Sequence, residues 1–338
     1  MRIYCDGIFD LFHKGHLQHF QKIHTFFSEE IQLVVGVISD EMTIKYKRKP
    51  VFNEIQRCKI INSLELVNEA FITDLMIINE DFISKYNIDY VIHAFNNEED
   101  KKKQYIFFEH LIKKNKFIEI GYNQGISTTN IIDSYFKDDK IHDNKKLGLT
   151  TDINIHMSDT DKDHNILTDP KKYIEKIVNT LSIHNDNKIL EVECGSGILS
   201  TFLQKYDYYG LDNSLPSVTK QIQLLDNIVL CFTCTDIIFK KKYFDFTIIN
   251  SKLESLSSKE DIDKMIHEIE RITKKGVYIA NIRDYTKIQK IEKHNNKCTC
   301  NDFVIDRNYF IGLGYTIERN LGDIEQYDAY KVMQKKTE

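Results

Sequence analysis

Two series of short apolar segments, each alternating with helical stretches, constrain the possible folds of this 338-residue chain most strongly. In the first series, Ile31–Ile38 is apolar apart from Gln32, as expected of a strand that is covered on both faces. Tyr90–His93 and Phe117–Ile120 are shorter strand-like segments. Apolar residues recur at helical spacing in Glu54–Leu66 and Glu98–Lys114. Strands that alternate with helices of this length predict a parallel, doubly wound α/β sheet.

The second series begins after a polar, aperiodic stretch at 137–165, which we interpret as a linker. We therefore predict two doubly wound α/β domains, at 1–136 and 166–338. The predicted helices of the second domain are Pro170–Leu181, Ile198–Lys205 and Lys259–Thr273, and its predicted strands are Lys188–Val192, Tyr208–Leu211, Phe244–Ile249, Gly276–Ala280, Tyr315–Arg319 and Ala329–Met333.

Charge and composition argue against several functional classes. The net charge of −5 and the pI near 6.2 argue against nucleic acid as the main partner. The N-terminus enters a strand directly, and no apolar run approaches the ~18–20 residues that span a bilayer, so we expect neither a signal peptide nor a transmembrane segment. The seven scattered cysteines favour free thiols in a reducing compartment. These features predict a soluble cytoplasmic protein.

Four of the cysteines raise the alternative of a zinc site. Cys231 and Cys234 are separated by two residues, and Cys298 and Cys300 by one, so together they could supply four thiolates. However, Cys231 and Cys234 follow an apolar strand, and Cys-x-Cys is an unusual spacing for zinc. We therefore predict no metal site formed by the protein itself.

The most informative segment is YCDGIFDLFHKGH at 4–16. A strand is predicted to end at Cys5 and a helix to begin near His16, where unpaired N–H groups and the helix dipole favour a phosphate. His13 and His16 are three residues apart, so both side chains face the same side of this turn, and Gly15 leaves room for a phosphate oxygen. Two imidazoles can donate hydrogen bonds to charge that develops on a phosphoryl group. A surface pair of histidines is the alternative for this pattern alone.

With three further motifs, this segment resembles the cytidylyltransferase family, and most of all the phosphoethanolamine and phosphocholine cytidylyltransferases. The motifs are DGIFDLFHKGH (6–16), VGVISDE (35–41), YKRKPVFNEIQR (46–57) and GISTTNII (125–132), in family order and spacing over about residues 1–136. The resemblance implies a homodimer through this domain, and CTP with Mg2+ on its triphosphate as one substrate. It also implies His13, His16 and Lys47 as catalytic residues and Asp6 as the residue that attracts the ammonium of the phosphorylated amino-alcohol. The nucleotide-binding residues that it implies are Gly7, Phe9, Gly15, Arg57, His93, Gly125, Ser127, Thr128 and Thr129.

Two departures from the family pattern concern charge in this site. Tyr122 and Asn123 stand where the family has arginine and threonine, so a guanidinium that contacts phosphate is missing. After His93 the family carries one or two aspartates, whereas this chain has the sequence AFNN at 94–97. From these departures we hypothesise that the acceptor is not plain phosphocholine, or that turnover is slow.

The second domain carries a glycine turn after a strand, CGSG at 194–197. Asp212 stands at the end of the next predicted strand. In typical nucleoside cofactor sites, glycines let the backbone contact the ligand directly, and a carboxylate accepts hydrogen bonds from the ribose hydroxyls. With Glu191 in the strand, this region resembles the S-adenosylmethionine site of class I methyltransferases, over about residues 170–335. The resemblance implies a site for S-adenosylmethionine formed by Glu191, Gly195, Gly197, Asp212 and Asp236.

One departure also concerns this second site. Glu193 occupies the position of the family's first glycine, so a degenerate methyltransferase scaffold is the alternative. No methyl-acceptor site can be read from the sequence, and His294, Tyr309 and Tyr327 are candidates only by their position late in the domain.

The sequence therefore predicts a bifunctional enzyme. Its first domain would transfer a cytidylyl group from CTP to a small phosphorylated amino-alcohol, and its second would methylate a related molecule. The alternatives are another phosphorylated alcohol, such as glycerol phosphate, with a degenerate second domain, or a non-catalytic nucleotide-binding protein.

Overall fold

The computed structural model describes residues 1–75, 77–122, 127–136, 169–235, 237–250, 253, 256, 258–283, 307–319 and 326–333. The chain divides into two compact units, the first made of Met1–Lys137 with Ile238–Lys240, and the second of Asp138–Ile237 with Lys241–Glu338. The predicted linker at 137–165 lies outside the described residues, as do Asn123, Gly125, Asp236, His294, Cys298 and Cys300.

The first unit is a five-stranded parallel sheet with the strand order β3-β2-β1-β4-β5. Its strands are β1 (Arg2–Gly7), β2 (Gln32–Ile38), β3 (Glu69–Thr73), β4 (Tyr90–His93) and β5 (Phe117–Glu119). Its helices are α1 (Lys14–Phe26), α2 (Asp40–Tyr46), α3 (Glu54–Ser63), α4 (Glu80–Tyr86), α5 (Glu98–Lys113) and α6 (Thr128–Tyr135). The predicted doubly wound fold is therefore present.

The strand order of the first unit places a crevice between β1 and β4. The chain runs from β1 towards one edge of the sheet and returns to β4 on the other side of β1, so the strand order reverses between these two strands. Tyr4 pairs with Val91, and two residues further on Asp6 and His93 stand level with each other at the carboxyl ends. Ligands of doubly wound sheets bind at this position.

The second unit is a seven-stranded sheet with the order β11-β12-β10-β9-β6-β7-β8. The five strands β10, β9, β6, β7 and β8 are parallel. In contrast, β12 runs antiparallel to both β10 and β11. The strands are β6 (Lys188–Val192), β7 (Asp207–Asp212), β8 (Ile228–Cys231), β9 (Phe244–Asn250), β10 (Thr273–Arg283), β11 (Thr316–Arg319) and β12 (Gln326–Val332). The helices are α7 (Pro170–Leu181), α8 (Leu215–Leu225), α9 (Lys259–Ile272) and α10 (Arg307–Gly312).

The predicted helix Ile198–Lys205 is wrong, because only a short 3-10 turn, Ser200–Phe202, forms there. The hydroxyls of Ser200 and Thr201 both donate to the carbonyl of Gly197, at 3.1 and 2.9 Å. Side-chain bonds of this kind compete with helix propagation. Among the described residues, no helix is both long enough and apolar enough to cross a membrane.

Candidate active site

A cleft of about 710 Å3 opens at the crevice between β1 and β4. Eleven of the residues that the sequence assigns to the first site line it: Asp6, Gly7, Phe9, His13, Gly15, His16, Lys47, His93, Ser127, Thr128 and Thr129. The departures Ala94 and Tyr122 also line the cleft. The motifs that lie far apart in sequence thus converge on one cavity.

The two motif histidines stack at the start of α1. His13 is the N-cap residue, its ring lies 3.8 Å from that of His16, and the two planes are 21° apart. The Nδ1 of His13 accepts from the backbone N–H of Gly15 at 3.1 Å, and the Nδ1 of His16 accepts from the N–H of His13 at 3.4 Å. Because both Nδ1 atoms act as acceptors, the ring proton of each neutral imidazole is on Nε2.

Burial keeps both imidazoles neutral. Desolvation lowers the pKa of His13 to about 4, and desolvation together with neighbouring His13, His19 and Lys47 holds the pKa of His16 well below its usual value. His13 Nε2 lies 3.3 Å from the hydroxyl of Thr128, which itself donates to the carbonyl of Asp10 at 3.1 Å. The site thus presents neutral Nε2–H donors in fixed orientations.

The loop between β1 and α1 holds this pair in place through an unusual backbone. Phe9 and Leu11 both adopt left-handed conformations, with φ of 52° and 47°. The Phe9 ring packs against His16 at 5.5 Å, and a Cβ on Gly7 would come within 2.8 Å of that ring. Asp10 accepts from the N–H groups of Val51 and Phe52 at 2.9 and 3.0 Å, which ties the loop to the segment before α3. A side chain at position 7 would require the Phe9 ring to shift.

Arg57 does not line the cleft, so the predicted contact with the nucleotide is corrected to a supporting role. Its side chain is fully buried. The guanidinium donates to the carbonyls of Phe52, Ile8 and Ile38 and pairs with Asp40 at 2.7 Å. These bonds engage its nitrogen donors inside the protein and join three segments behind the cleft.

Lys47 lies at the C-terminal end of α2 and lines the cleft with an exposed side chain. Partial desolvation and the adjacent Arg48 lower the pKa of its ammonium. On the opposite side, Ser127 caps α6, and its hydroxyl accepts from the N–H of Asn130 at 3.1 Å. The helix start predicted there is present, and Thr128 and Thr129 form its first turn.

Asp6 lines the cleft from the carboxyl end of β1. About 12% of its side chain is exposed, and desolvation raises its pKa to about 7. Its Oδ1 lies 3.9 Å from Nδ1 of His93, too far for a hydrogen bond. A ligand with a positive charge would remove the cost of burying this carboxylate.

Sequence reasoning missed His19, which also lines the cleft. It follows His13 and His16 at the same three-residue interval on α1, and that spacing is visible in the sequence. Asp10, Thr43, Arg48 and Asn96 line the cleft as well and were not predicted. Nothing in their sequence context distinguishes them from ordinary loop or helix residues.

In the second unit, the glycine turn follows β6 and meets the end of β7. The Asp212 carboxylate accepts from the N–H groups of Gly195 and Ser214, both at 2.8 Å. Gly195 and Gly197 have φ of 54° and 100°, and a Cβ on Gly195 would meet no described heavy atom within 4 Å. The turn is thus held against Asp212 and leaves open space at Gly195, which fits the approach of a nucleoside cofactor.

Two glutamates lie close to this turn, Glu191 in β6 and Glu193 directly after that strand. Glu193 adopts a left-handed φ of 60°, which favours glycine. Glu191 is fully buried and accepts from the hydroxyl of Tyr208 at 2.9 Å, and desolvation raises its pKa to about 8. Glu191 is thus enclosed in β6 and bonded to β7 through Tyr208, and its contact with the cofactor stays a prediction.

Two of the three candidate methyl-acceptor residues, Tyr309 and Tyr327, lie among the described residues. Tyr327 is fully buried, and the hydroxyl of Tyr309 donates to Asp263 at 2.6 Å on the surface of α9. Tyr309 is bonded to Asp263, and Tyr327 is enclosed in the core, so we do not retain either as a candidate.

Comparison with known proteins agrees with both resemblances. Residues 4–134 match the family model described as Cytidylyltransferase-like, and residues 190–281 match the model described as Methyltransferase domain. Choline-phosphate cytidylyltransferase 2 of Arabidopsis thaliana is 28% identical over 201 residues, which cover 55% of this chain and 65% of that protein. Ethanolamine-phosphate cytidylyltransferase of Arabidopsis thaliana is 32% identical over 138 residues, 39% of this chain and 31% of that protein.

The chain spans less than two thirds of the length of the curated relatives it matches. Among solved structures, magnesium protoporphyrin IX methyltransferase from Synechocystis PCC 6803 with bound SAH is 14% identical. The match covers 62% of this chain and all of that one, with a TM-score of 0.41. The two family models show a cytidylyltransferase-like domain at 4–134 followed by a methyltransferase domain at 190–281, as the motifs indicated.

Proposed function

We propose that the first unit transfers a cytidylyl group from CTP to a phosphorylated amino-alcohol and releases pyrophosphate. The observation that carries this proposal is the stacked His13–His16 pair, neutral and oriented with Nε2–H donors, in a cleft that also contains Lys47 and Asp6. The names of the curated relatives support the same class of acceptor.

The reaction needs no covalent enzyme intermediate and no strong general base. A phosphate oxygen of the acceptor, already anionic at neutral pH, attacks the α-phosphorus of CTP and forms the new P–O bond. The bond from the α-phosphorus to the oxygen shared with the β-phosphate breaks, and pyrophosphate leaves with that electron pair. The enzyme therefore acts by placing both substrates in line and by stabilising charge.

The histidine pair would stabilise charge on the α-phosphoryl oxygens. Neutral Nε2–H groups donate hydrogen bonds without a change of protonation, so they are ready at the pH of the reaction. In the free protein the Nε2–H of His13 is directed at Thr128. A phosphate oxygen would replace that weak 3.3 Å contact with a charge-assisted hydrogen bond.

The remaining charge of the triphosphate would be met at the rim of the cleft. Lys47 is exposed and mobile enough to reach the β- and γ-phosphates. Among the described residues, no cluster of three or more His, Cys, Asp or Glu side chains could hold a metal ion. In this proposal Mg2+ is bound to the triphosphate, as the resemblance implies, and would neutralise part of its charge.

We propose that the second unit binds S-adenosylmethionine at the turn formed by Gly195 and Gly197 beside Asp212, with Asp236 as the further contact that the resemblance implies. The open space at Gly195 and the fixed Asp212 carboxylate support this site. The presence of both domains in one chain motivates a methyl acceptor related to the amino-alcohol, before or after its activation. The positive φ of Glu193 favours the second candidate, in which this unit is a degenerate scaffold. We also propose a homodimer through the first unit.

Pyrophosphate release tests the transferase. The full-length protein is incubated with CTP, Mg2+ and, in turn, phosphoethanolamine, its methylated forms, phosphocholine and glycerol phosphate. We expect release with an amino-alcohol acceptor and a loss of at least about a hundredfold in His16→Ala, the range found when one transition-state donor is removed. Silence with every acceptor while calorimetry detects bound CTP would instead identify a non-catalytic nucleotide-binding protein.

A further inference from the structure

The end of the cleft at Asp6 contains a buried carboxylate and no described basic partner. Within the described part of the chain, no Lys or Arg nitrogen lies within 4.0 Å of the Asp6 carboxylate. Desolvation raises its pKa to about 7, so the charged form gains from any ligand that brings a positive charge. The ammonium group of the acceptor is the cation that the proposed reaction supplies.

Two further imidazoles line the cleft, His93 from β4, which lies beside Asp6, and His19 from α1, which interacts electrostatically with His93. Desolvation lowers the pKa of both to about 4, with a further contribution at His19 from His93 and Lys22. Each ring is therefore neutral near pH 7 and carries one unprotonated nitrogen that accepts a hydrogen bond. This end of the cleft thus combines the Asp6 carboxyl with neutral hydrogen-bond acceptors.

The distance between Asp6 and His93 fits a bridging donor. Asp6 Oδ1 and His93 Nδ1 are 3.9 Å apart, so the two acceptors do not bond to each other. An ammonium placed about 2.8 Å from each, the usual length of a charge-assisted hydrogen bond, reaches both at once. Such a bridge requires N–H groups on the ligand.

A trimethylated nitrogen has no N–H group and is recognised by aromatic faces. The rings next to His93 are those of Phe95 and Phe108, each 4.8 Å from it. Both are buried, and neither lines the cleft. Two other aromatic side chains line the cleft: the Phe9 ring packs against His16, and Tyr122 is exposed. The ring beside Asp6 is the imidazole of His93, a hydrogen-bond acceptor.

We propose that His19 makes this end of the cleft selective for an acceptor whose ammonium carries N–H groups, and against the trimethylated head group. The proposal rests on the proposed cytidylyl transfer and narrows its acceptor to phosphoethanolamine and its partly methylated forms. In this proposal His19, which lines the same cleft from α1, supplies a further acceptor for the ammonium that Asp6 and His93 bridge.

The test compares kcat/KM for phosphoethanolamine and phosphocholine in the full-length protein. We expect the wild type to favour phosphoethanolamine by at least about tenfold, since a site with unpaired buried acceptors discriminates against a ligand that cannot donate. His19→Phe should lower kcat/KM for phosphoethanolamine about tenfold, leave KM for CTP unchanged and remove most of the preference. His19→Gln, which keeps an acceptor, should stay close to the wild type.

Gln21→Ala, at an exposed position on the same helix, is the matched control and should change neither acceptor. A wild-type preference for phosphocholine, or an equal fall for both acceptors in His19→Phe, would overturn the inference while leaving the transferase intact. Absence of pyrophosphate with every acceptor would instead refute the proposed function and, with it, the selectivity that rests on it.

Discussion

At the scale of single residues, Arg57 is a motif residue that acts on the cleft through buried packing. Most arginines are exposed, so its position in a motif suggested a ligand contact. In the structure the guanidinium is fully buried and bonded to three carbonyls and Asp40, which fixes the β1–α1 loop relative to α2 and α3. The residue therefore serves the cleft by holding its walls.

Replacement of Arg57 by methionine should destabilise the first unit by about 3 kcal/mol, because three buried carbonyls and Asp40 lose their donors. Hydrogen exchange of peptides from residues 1–75 through a urea titration measures this local free energy. The control is Lys45→Ala, since the Lys45–Glu41 pair is exposed and its loss should change stability by no more than about 0.5 kcal/mol. Equal effects of the two substitutions would contradict the supporting role.

At the scale of elements, the sequence predicted the buried strands well. Tyr90–His93 and Lys188–Val192 form as predicted, because parallel strands covered on both faces are continuous apolar runs. The seven-residue helices α2 and α4 were not predicted, since two turns give too little periodicity to recognise. The helix predicted at Ile198–Lys205 failed because hydroxyl groups there bond the backbone.

The sequence predicted only part of the candidate site, for a different reason. The spacing of His13 and His16 and the order of the motifs identified the cleft, as these features are local in sequence. The shared tautomer of the pair depends on two backbone N–H groups, and the role of His19 depends on how α1 lies against β4. Contacts of this kind arise from tertiary packing, which no short motif encodes.

The glycine turn after β6 allows a test at the same scale. Glu193→Gly should tighten S-adenosylmethionine binding about tenfold, or about 1.4 kcal/mol, because it removes a bulky anion from the backbone that approaches the cofactor. Glu193→Ala removes the charge but keeps a Cβ at a φ of 60°, so we expect a smaller gain. Titration calorimetry compares the three proteins. Weaker binding in Glu193→Gly would show that the glutamate contributes to the site.

At the scale of the whole molecule, both units use the same arrangement of parallel strands. In each, a loop with left-handed residues leaves the carboxyl end of a central strand, β1 or β6, and the neighbouring strand supplies further site residues. The carboxyl ends of parallel strands leave a crevice at which loops can present backbone N–H groups to a ligand. We therefore expect each unit to form its site from its own residues.

This independence leads to a prediction for the full-length protein. His16→Ala should abolish pyrophosphate release and leave the Kd for S-adenosylmethionine unchanged. Asp212→Ala should weaken cofactor binding at least about tenfold, because Gly195 and Ser214 lose their acceptor, and should leave pyrophosphate release unchanged. Substitutions that share no partner act additively, so the double variant should combine both losses with an unaltered circular dichroism spectrum. If Asp212→Ala slowed pyrophosphate release more than about twofold, the two reactions would be energetically coupled, and ligands of one unit would then shift the affinity of the other by the same factor.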